Sequence, residues 1–328
     1  MMNYSPFSCL MYMTMLMSTT MVLLSSNWIM AWIMLEINMI SFLPLMSMKK
    51  SNQETSAATK YFLAQAMGSL LLLLASSMMY QKSMNYYMYL LLFMALSIKL
   101  GAAPGHYWYP AVMSMIPWNM CLLLSTWQKL APLSLMTMMS FKNNNVMVIM
   151  AGMNAFIGGV MGLNQSRLRM LLAYSSIGHI GWMMAMIAIS KNILALMYFS
   201  LYCTVVSPVF MMMMINNSYN INNLYMMFKS SAILPMMLML MLLSLGGLPP
   251  LTGFAPKLMV ITNMLSHNHM LLLMLLFGSY LNLYYYLNMG LLSVWSSNMK
   301  KVNNKKNNNK SNFIMMSTSL IGVPLIMI

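Results

Sequence analysis

Four charged side chains of this chain stand where a charge is costly to place. Lys99 lies in Leu96-Ser97-Ile98-Lys99-Leu100, Lys129 in Trp127-Gln128-Lys129-Leu130-Ala131-Pro132, and Lys257 in Pro256-Lys257-Leu258-Met259. Glu36 lies in Ile33-Met34-Leu35-Glu36-Ile37-Asn38, and Glu54 is the one other acidic residue, since there is no Asp. Each of the four interrupts an apolar run. At the centre of a spanning helix such a charge costs about 2.5–3.5 kcal/mol, so four ask for on the order of 10 kcal/mol from pairing, hydration or neutralisation. Glu36 and Lys99 are the natural pair, each lacking another oppositely charged partner at that depth. Three lysines with one carboxylate, all able to take up and release a proton, read as a proton relay. Lys60 is set aside, because it begins a span and can reach the headgroups.

Two histidines are weaker candidates for the same relay. His106 sits in Gly105-His106-Tyr107 and His179 in Gly178-His179-Ile180. Imidazole titrates near neutrality and could shuttle protons, though a hydrogen-bonded packing role fits each as well. His267-Asn268-His269 lacks a nearby carboxylate or thiol, so no metal is expected there. Cys9, Cys121 and Cys203 form no CxxC pair and suggest neither a disulfide framework nor an iron–sulfur site. No GxGxxG, P-loop, GxSxG or HExxH motif is present. The chain is therefore expected to bind no redox cofactor or metal of its own.

The elements that must carry these residues are membrane helices. Sixty per cent of the 328 residues are hydrophobic and 6% are charged, too few to cover a water-soluble domain. Blocks of about 20 mostly apolar residues span hydrocarbon as helices, which satisfy their own backbone there. Continuous runs such as 70–74 and 236–243 do not alternate, which excludes a barrel. The pattern predicts an all-α, polytopic transmembrane bundle of about eleven helices: 7–24, 28–47, 59–79, 86–103, 119–140, 146–162, 169–189, 192–214, 231–264, 270–291 and 313–328. No separate soluble domain is visible, so residues 1–328 are expected to form a single membrane domain. With this count, eleven Lys and Arg of the linkers fall on one side, against Lys82, Lys142 and Lys191 on the other. That bias places the N-terminus inside, and it accounts for the net charge of +15 without nucleic acid as a partner. The Lys/Asn tract 296–312 reads as a polar loop.

Two spans are expected to be broken. One break is Gly101-Ala102-Ala103-Pro104-Gly105-His106-Tyr107-Trp108-Tyr109-Pro110, just after Lys99. The other is Leu245-Gly246-Gly247-Leu248-Pro249-Pro250-Leu251-Thr252-Gly253-Phe254-Ala255-Pro256, just before Lys257. Proline removes a helix donor and glycine admits unusual backbone angles. Paired broken helices at bilayer depth mark transporters, because unwound backbone there lines a polar cavity.

The stretches WIMLEINMISFLP (32–44), KYFLAQ (60–65), KLGAAPGHYWYP (99–110), TWQKLAP (126–132), GGVMGLNQSRLRMLLAYSSIGHIGW (158–182) and SLGGLPPLTGFAPK (244–257) occur together and in this order. In them the sequence resembles the chain 2 family of mitochondrial NADH–ubiquinone oxidoreductase (complex I), over most of its length. The resemblance implies an antiporter-like fold and a proton-translocating subunit driven by electron transfer in other subunits. It puts the family's buried glutamate on Glu36, its paired lysine on Lys99, the central lysine on Lys129 and the lysine after the second broken helix on Lys257. It implies NADH, FMN, iron–sulfur clusters and ubiquinone in the parent complex, none of them held by this chain. As partners it implies other membrane subunits, including neighbouring antiporter-like ones, and lipids such as cardiolipin. The location implied is the mitochondrial inner membrane, multi-pass, with the basic loops in the matrix. The 52 methionines and Asn-rich loops fit an AT-rich mitochondrial genome. The alternative is a subunit of a multi-subunit cation/proton antiporter of the same fold. Two departures are Gly105, where the family usually has a bulky aromatic, and Ala111, where it often has an acidic residue. The first break is accordingly expected to be looser here.

Overall fold

The structure is a computed structural model that describes residues 6–48, 51–80, 86–139, 145–215, 219, 233–249 and 251–298. Among these there are thirteen α-helices and no strand. Seven helices are long and apolar enough to cross a membrane by length and composition. The proposed span 313–328, most of the Lys/Asn tract and the basic residues Lys49, Lys50, Lys82, Lys142 and Lys229 lie outside the described residues.

Compactness divides the chain into two units, Met1–Lys142 and Asn143–Ile328. The first holds α1 (Pro6–Leu24), α2 (Trp28–Met46), α3 (Asn52–Tyr80), α4 (Tyr86–Leu100), α5 (Trp108–Met113), α6 (Trp118–Ser125) and α7 (Trp127–Met138). Here α2 packs on α1 and α3, and α4 packs on α3 and α7. The start of α3 shows why the sequence folds this way locally. Ser51 accepts a hydrogen bond from the Glu54 N–H at 3.3 Å, the S-x-x-E arrangement that satisfies an otherwise orphan donor. Lys60 lies within α3 and is exposed, as a snorkelling residue should be.

The second unit holds α8 (Asn145–Leu163), α9 (Leu168–Ala188), α10 (Asn192–Ile215), α11 (Ile233–Gly246), α12 (Phe254–Met264) and α13 (His269–Asn298). Its centre is α9, which touches α8, α10, α12 and α13 and buries all but three of its 21 residues. An apolar helix surrounded on every side is a core helix. By contrast α1 buries only Ser8, Met15, Ser18, Thr19 and Val22 and turns Leu10, Met13, Met17 and Met21 outward. Apolar side chains on an outer face are what a lipid-facing helix requires.

Helix interruptions occur where the glycine and proline clusters predict them, between α4 and α5 and between α11 and α12. A further one divides the span expected at 119–140, at Thr126 between α6 and α7. All three adjoin a buried lysine.

Candidate functional site

Lys99 occupies the last turn of α4, where a helix presents carbonyls without partners. Side chains from neighbouring elements satisfy them: Trp108 Nε1 donates to Ile98 O at 2.9 Å, and Gln65 Nε2 donates to Lys99 O at 3.3 Å. The carbonyl end of a helix is also the favourable end for a cation. The segment after it is tight, which corrects the expectation of a looser break. A Cβ on Gly105 would stand 2.7 Å from Ile98 Cγ1, so this loop has no room there for a larger residue. Ala111 lies within α5 and is partly buried.

Lys129 occupies the first turn of α7, just after the interruption at Thr126. Two local features hold that break open. Thr126 turns its hydroxyl back onto Leu122 O at 2.7 Å, and the Lys129 N–H bonds to Thr126 O at 3.2 Å in a tighter turn. Pro132 removes the donor that would have met the Gln128 carbonyl. The positive end of the helix dipole thus faces this lysine. Its Nζ sits 4.4 Å from the centroid of the Tyr109 ring, whose π-face attracts a cation.

Lys99 and Lys129 line one cavity of about 20 Å³, formed where α4 packs on α7. Both are buried, with 6% and 2% of their surface exposed. The polar residues of the lining also include Asn38, Tyr61, Gln65, Gln128, Trp108 and Tyr109. Asn38 and Gln128 bond each other reciprocally, Asn38 Nδ2 to Gln128 Oε1 at 3.1 Å and Gln128 Nε2 to Asn38 Oδ1 at 3.2 Å. The Tyr61 hydroxyl reaches the same Gln128 Oε1 at 3.5 Å. Sequence reasoning missed this amide cluster because it weighed only charged groups. The same cost argument, applied to amides inside apolar spans, would have found it.

Glu36 is half-buried on α2, outside the described lining of that cavity, and acts on both Lys99 and Tyr61 through space. Its Oε1 is buried and meets no hydrogen-bond donor. That oxygen therefore makes no hydrogen bond to Lys99. His106 is buried in the first break with its ring tilted against Tyr107, centroids 4.2 Å apart, and is also outside the described lining.

In the second unit Lys257, 4% exposed, lies in the first turns of α12. It reaches back across the break, and its Nζ donates to Gly246 O at the carbonyl end of α11. Gly247 makes this possible: its φ is +80°, and a Cβ there would lie 2.8 Å from Lys257 Nζ. His179 is on the buried helix α9, its Nδ1 2.9 Å from the Tyr198 hydroxyl and its ring 5.0 Å from that of Tyr202. It sits among hydroxyl groups, as a relay or a satisfied packing residue both require.

The comparisons with known proteins point one way. The family described as NADH:quinone oxidoreductase/Mrp antiporter, TM, matches residues 25–282. NADH-ubiquinone oxidoreductase chain 2 of Lumbricus terrestris is 47% identical over 287 residues, 87% of this chain and 86% of the relative. The protein of the same name from Mus musculus is 38% identical over 84% of this chain and 83% of its own. Among solved structures, a chain of respiratory complex I from Thermus thermophilus with bound aureothin superposes with a TM-score of 0.87 at 20% identity, covering 99% of this chain and 79% of that one. A chain of an archaeal membrane-bound sulfane sulfur reductase, a respiratory membrane complex, superposes with a TM-score of 0.80 at 16% identity, over 97% and 72%. These two share the fold of this chain.

Proposed function

Because the chain belongs to the chain 2 family of NADH–ubiquinone oxidoreductase, within the NADH:quinone oxidoreductase/Mrp antiporter proteins, we propose that it translocates protons as a membrane subunit of that enzyme. The observation that carries this reading is the cavity of the first unit. Two lysines on neighbouring helices, both almost wholly buried, open on one small polar space. Lysines buried at membrane depth are held there for a purpose, since insertion alone disfavours them. A proton enters and leaves such a group when its ammonium can reach a polar neighbour or water.

In this reading Lys99, Lys129 and Lys257 are the proton-carrying groups, and Glu36 modulates Lys99 electrostatically. His179 and His106 are secondary relay candidates. Electron transfer from NADH through FMN and iron–sulfur clusters to ubiquinone takes place in other subunits, and this chain contributes no redox group. Its partners are the other membrane subunits, antiporter-like neighbours among them, with cardiolipin at the lipid boundary. The chain acts as one membrane domain of the mitochondrial inner membrane, its Lys/Arg-rich linkers facing the matrix. The sequence relatives, matched over more than four-fifths of their own length under the chain 2 name, favour this over a cation/proton antiporter subunit.

The test is proton translocation by the intact complex in liposomes with Lys129→Met. Methionine keeps the packing and removes the proton site. Protons moved per NADH oxidised should collapse while NADH oxidation is retained in part. Undiminished pumping by an assembled variant would end the reading at this residue.

A further inference from the structure

The cavity between Lys99 and Lys129 has a built wall whose chemistry the lysines alone do not explain. Asn38 comes from α2 and Gln128 from α7, and their side chains form a closed reciprocal amide pair. Each primary amide carries two N–H donors and a carbonyl with two lone pairs. The reciprocal pair uses one N–H and one lone pair of each. What remains is a further N–H donor on each and a further acceptor on the Asn38 carbonyl, and both residues line the cavity. Tyr61 adds a hydroxyl on the Gln128 carbonyl.

Size decides what that wall faces. A water needs roughly 10–15 Å³ of such space and two to four polar partners. The cavity offers about 20 Å³, room for one water, and its lining includes the amides Asn38, Gln65 and Gln128, the phenols Tyr61 and Tyr109, and the two lysines. An apolar space of this size would stay dry, and two charged lysines alone would supply only donors. The Asn38 carbonyl supplies an acceptor.

Stability does not account for the pair. Amide bonds between membrane helices contribute only about 0.6 kcal/mol on average, and replacing both partners of a buried hydrogen bond by apolar groups of similar shape is nearly neutral. Two leucines would join α2 to α7 about as well.

We propose that the Asn38–Gln128 amide pair holds a water that bridges Lys99 and Lys129, making both residues positioning elements for proton transfer between the two lysines. This rests on the relay reading above. In the step, an N–H bond of one lysine's ammonium breaks as its proton joins the water oxygen. An O–H bond of the same water breaks as its proton forms an N–H bond on the other lysine's neutral amine. One proton has moved, the water is regenerated, and no oxidant or co-reactant is needed. The amides keep the water oriented to both nitrogens: the spare lone pair of Asn38 Oδ1 takes one of its hydrogens and a spare amide N–H donates to one of its lone pairs, which leaves one O–H and one lone pair for the two lysines.

The experiment uses the intact respiratory complex in liposomes and compares Asn38→Leu/Gln128→Leu, the swap Asn38→Gln/Gln128→Asn, and Lys129→Met. Two quantities are read: protons moved per NADH oxidised, and the infrared O–H stretch of buried water, identified by its shift in H₂¹⁸O. The doubly apolar variant should assemble, lose the water band and pump about tenfold less per NADH, comparable to removing an outer partner of a catalytic ligand. The swap, which keeps an amide pair, should restore both. Where the doubly apolar variant does not assemble, Gln128→Asn alone is set against the swap, with the same expectation. A doubly apolar variant that pumps normally, or a swap no better than the variant it should rescue, overturns the inference. Lys129→Met separates the two levels. If it pumps normally, the relay itself has failed; if it is silent while the apolar pair pumps, only the amide pair has.

Discussion

Lys129 and Lys257 each follow an interruption in a membrane helix, each lies in the first turns of the segment that resumes, and each is almost wholly buried. Their ammonium groups nonetheless meet opposite surroundings. Lys257 is tied by its Nζ to Gly246 O, the carbonyl end of the preceding half-helix, a contact that complements its charge by up to about 2 kcal/mol in a partly buried setting. Lys129 has the face of Tyr109 and a polar cavity of about 20 Å³ shared with Lys99. The first arrangement holds a cation in place without water. The second leaves it within reach of one. The difference teaches that the break does not by itself define a proton site; the lysine beside it can be bonded to a backbone carbonyl, as Lys257 is, or line a polar space, as Lys129 does. On the proposed function, Lys129 exchanges its proton readily, whereas Lys257 exchanges only when the Gly246 tether opens.

The comparison is broken most directly at Lys129. Lys129→Met should reduce proton translocation per NADH by about a hundredfold or more, the usual scale for losing a proton-transfer group. Proton uptake into liposomes against NADH oxidation measures it. A smaller loss than the same substitution causes at Lys257 would reverse the assignment of roles.

At the other lysine the tether can be broken without touching the charge. Gly247→Ala forces a side chain into φ +80° and puts its Cβ 2.8 Å from the Lys257 ammonium. A left-handed angle costs about 1–2 kcal/mol for a residue with a Cβ, and the lysine must leave Gly246 O to make room. Thermal stability of the assembled complex should fall, and pumping with it. Gly246→Ala is the control: the nearest atom to its Cβ is 3.5 Å away, an ordinary contact, so stability should stay within about 0.5 kcal/mol. Equal effects from the two would show that the tether has no special standing.

The parts of this site that were legible in the sequence are those that cost free energy. Lys99, Lys129, Lys257 and Glu36 stand out because a charge in an apolar run needs a reason, and the breaks expected over 101–110 and 245–256 stand out because clustered Gly and Pro weaken a helix, although Trp108–Pro110 and Phe254–Pro256 prove helical. Thr126 gives a weaker signal. A Ser-Thr pair six residues before a proline reads as ordinary helix, and only its hydroxyl folded back on Leu122 O reveals the interruption. The Asn38–Gln128 pair joins residues 90 positions apart, and no periodicity along one helix encodes such a meeting. Likewise the tightness at Gly105 depends on Ile98 of a different segment, which is why the departure from the family pattern suggested slack where the structure is closely packed.

Glu36 tests a quieter part of the comparison, whether Lys99 depends on a carboxylate as Lys257 depends on a carbonyl. A contact ion pair broken at one end typically costs about 3–5 kcal/mol. Since Glu36 Oε1 makes no hydrogen bond and acts on Lys99 through space, the coupling should be smaller, toward the low end of about 0.5–3 kcal/mol. The double-mutant cycle of Glu36→Gln and Lys99→Met, read as yield of assembled complex, should be less than additive by that amount. Activity should not return in the double variant, which still lacks a proton carrier. Strict additivity would mean that the two residues act independently.

The smallest expected effect is at Thr126, and it asks what keeps Lys129 at the start of a half-helix. Two causes are present: the Thr126 hydroxyl bonded to Leu122 O at 2.7 Å, and Pro132, which cannot donate to the Gln128 carbonyl. Thr126→Val removes the first at nearly constant shape. The Leu122 carbonyl keeps the Thr126 N–H at 3.0 Å, so no buried acceptor is stranded, and the loss should be about 0.5 kcal/mol. Pro132 is untouched and its ring still opposes a regular turn there. The break should therefore persist, Lys129 should keep its place against Tyr109 and the cavity, and proton translocation per NADH should stay within about twofold of the unaltered complex, a change of less than 0.5 kcal/mol. A loss approaching that of Lys129→Met would show that the hydroxyl, not the proline, holds α6 and α7 apart, and that the position of Lys129 hangs on a single side-chain bond.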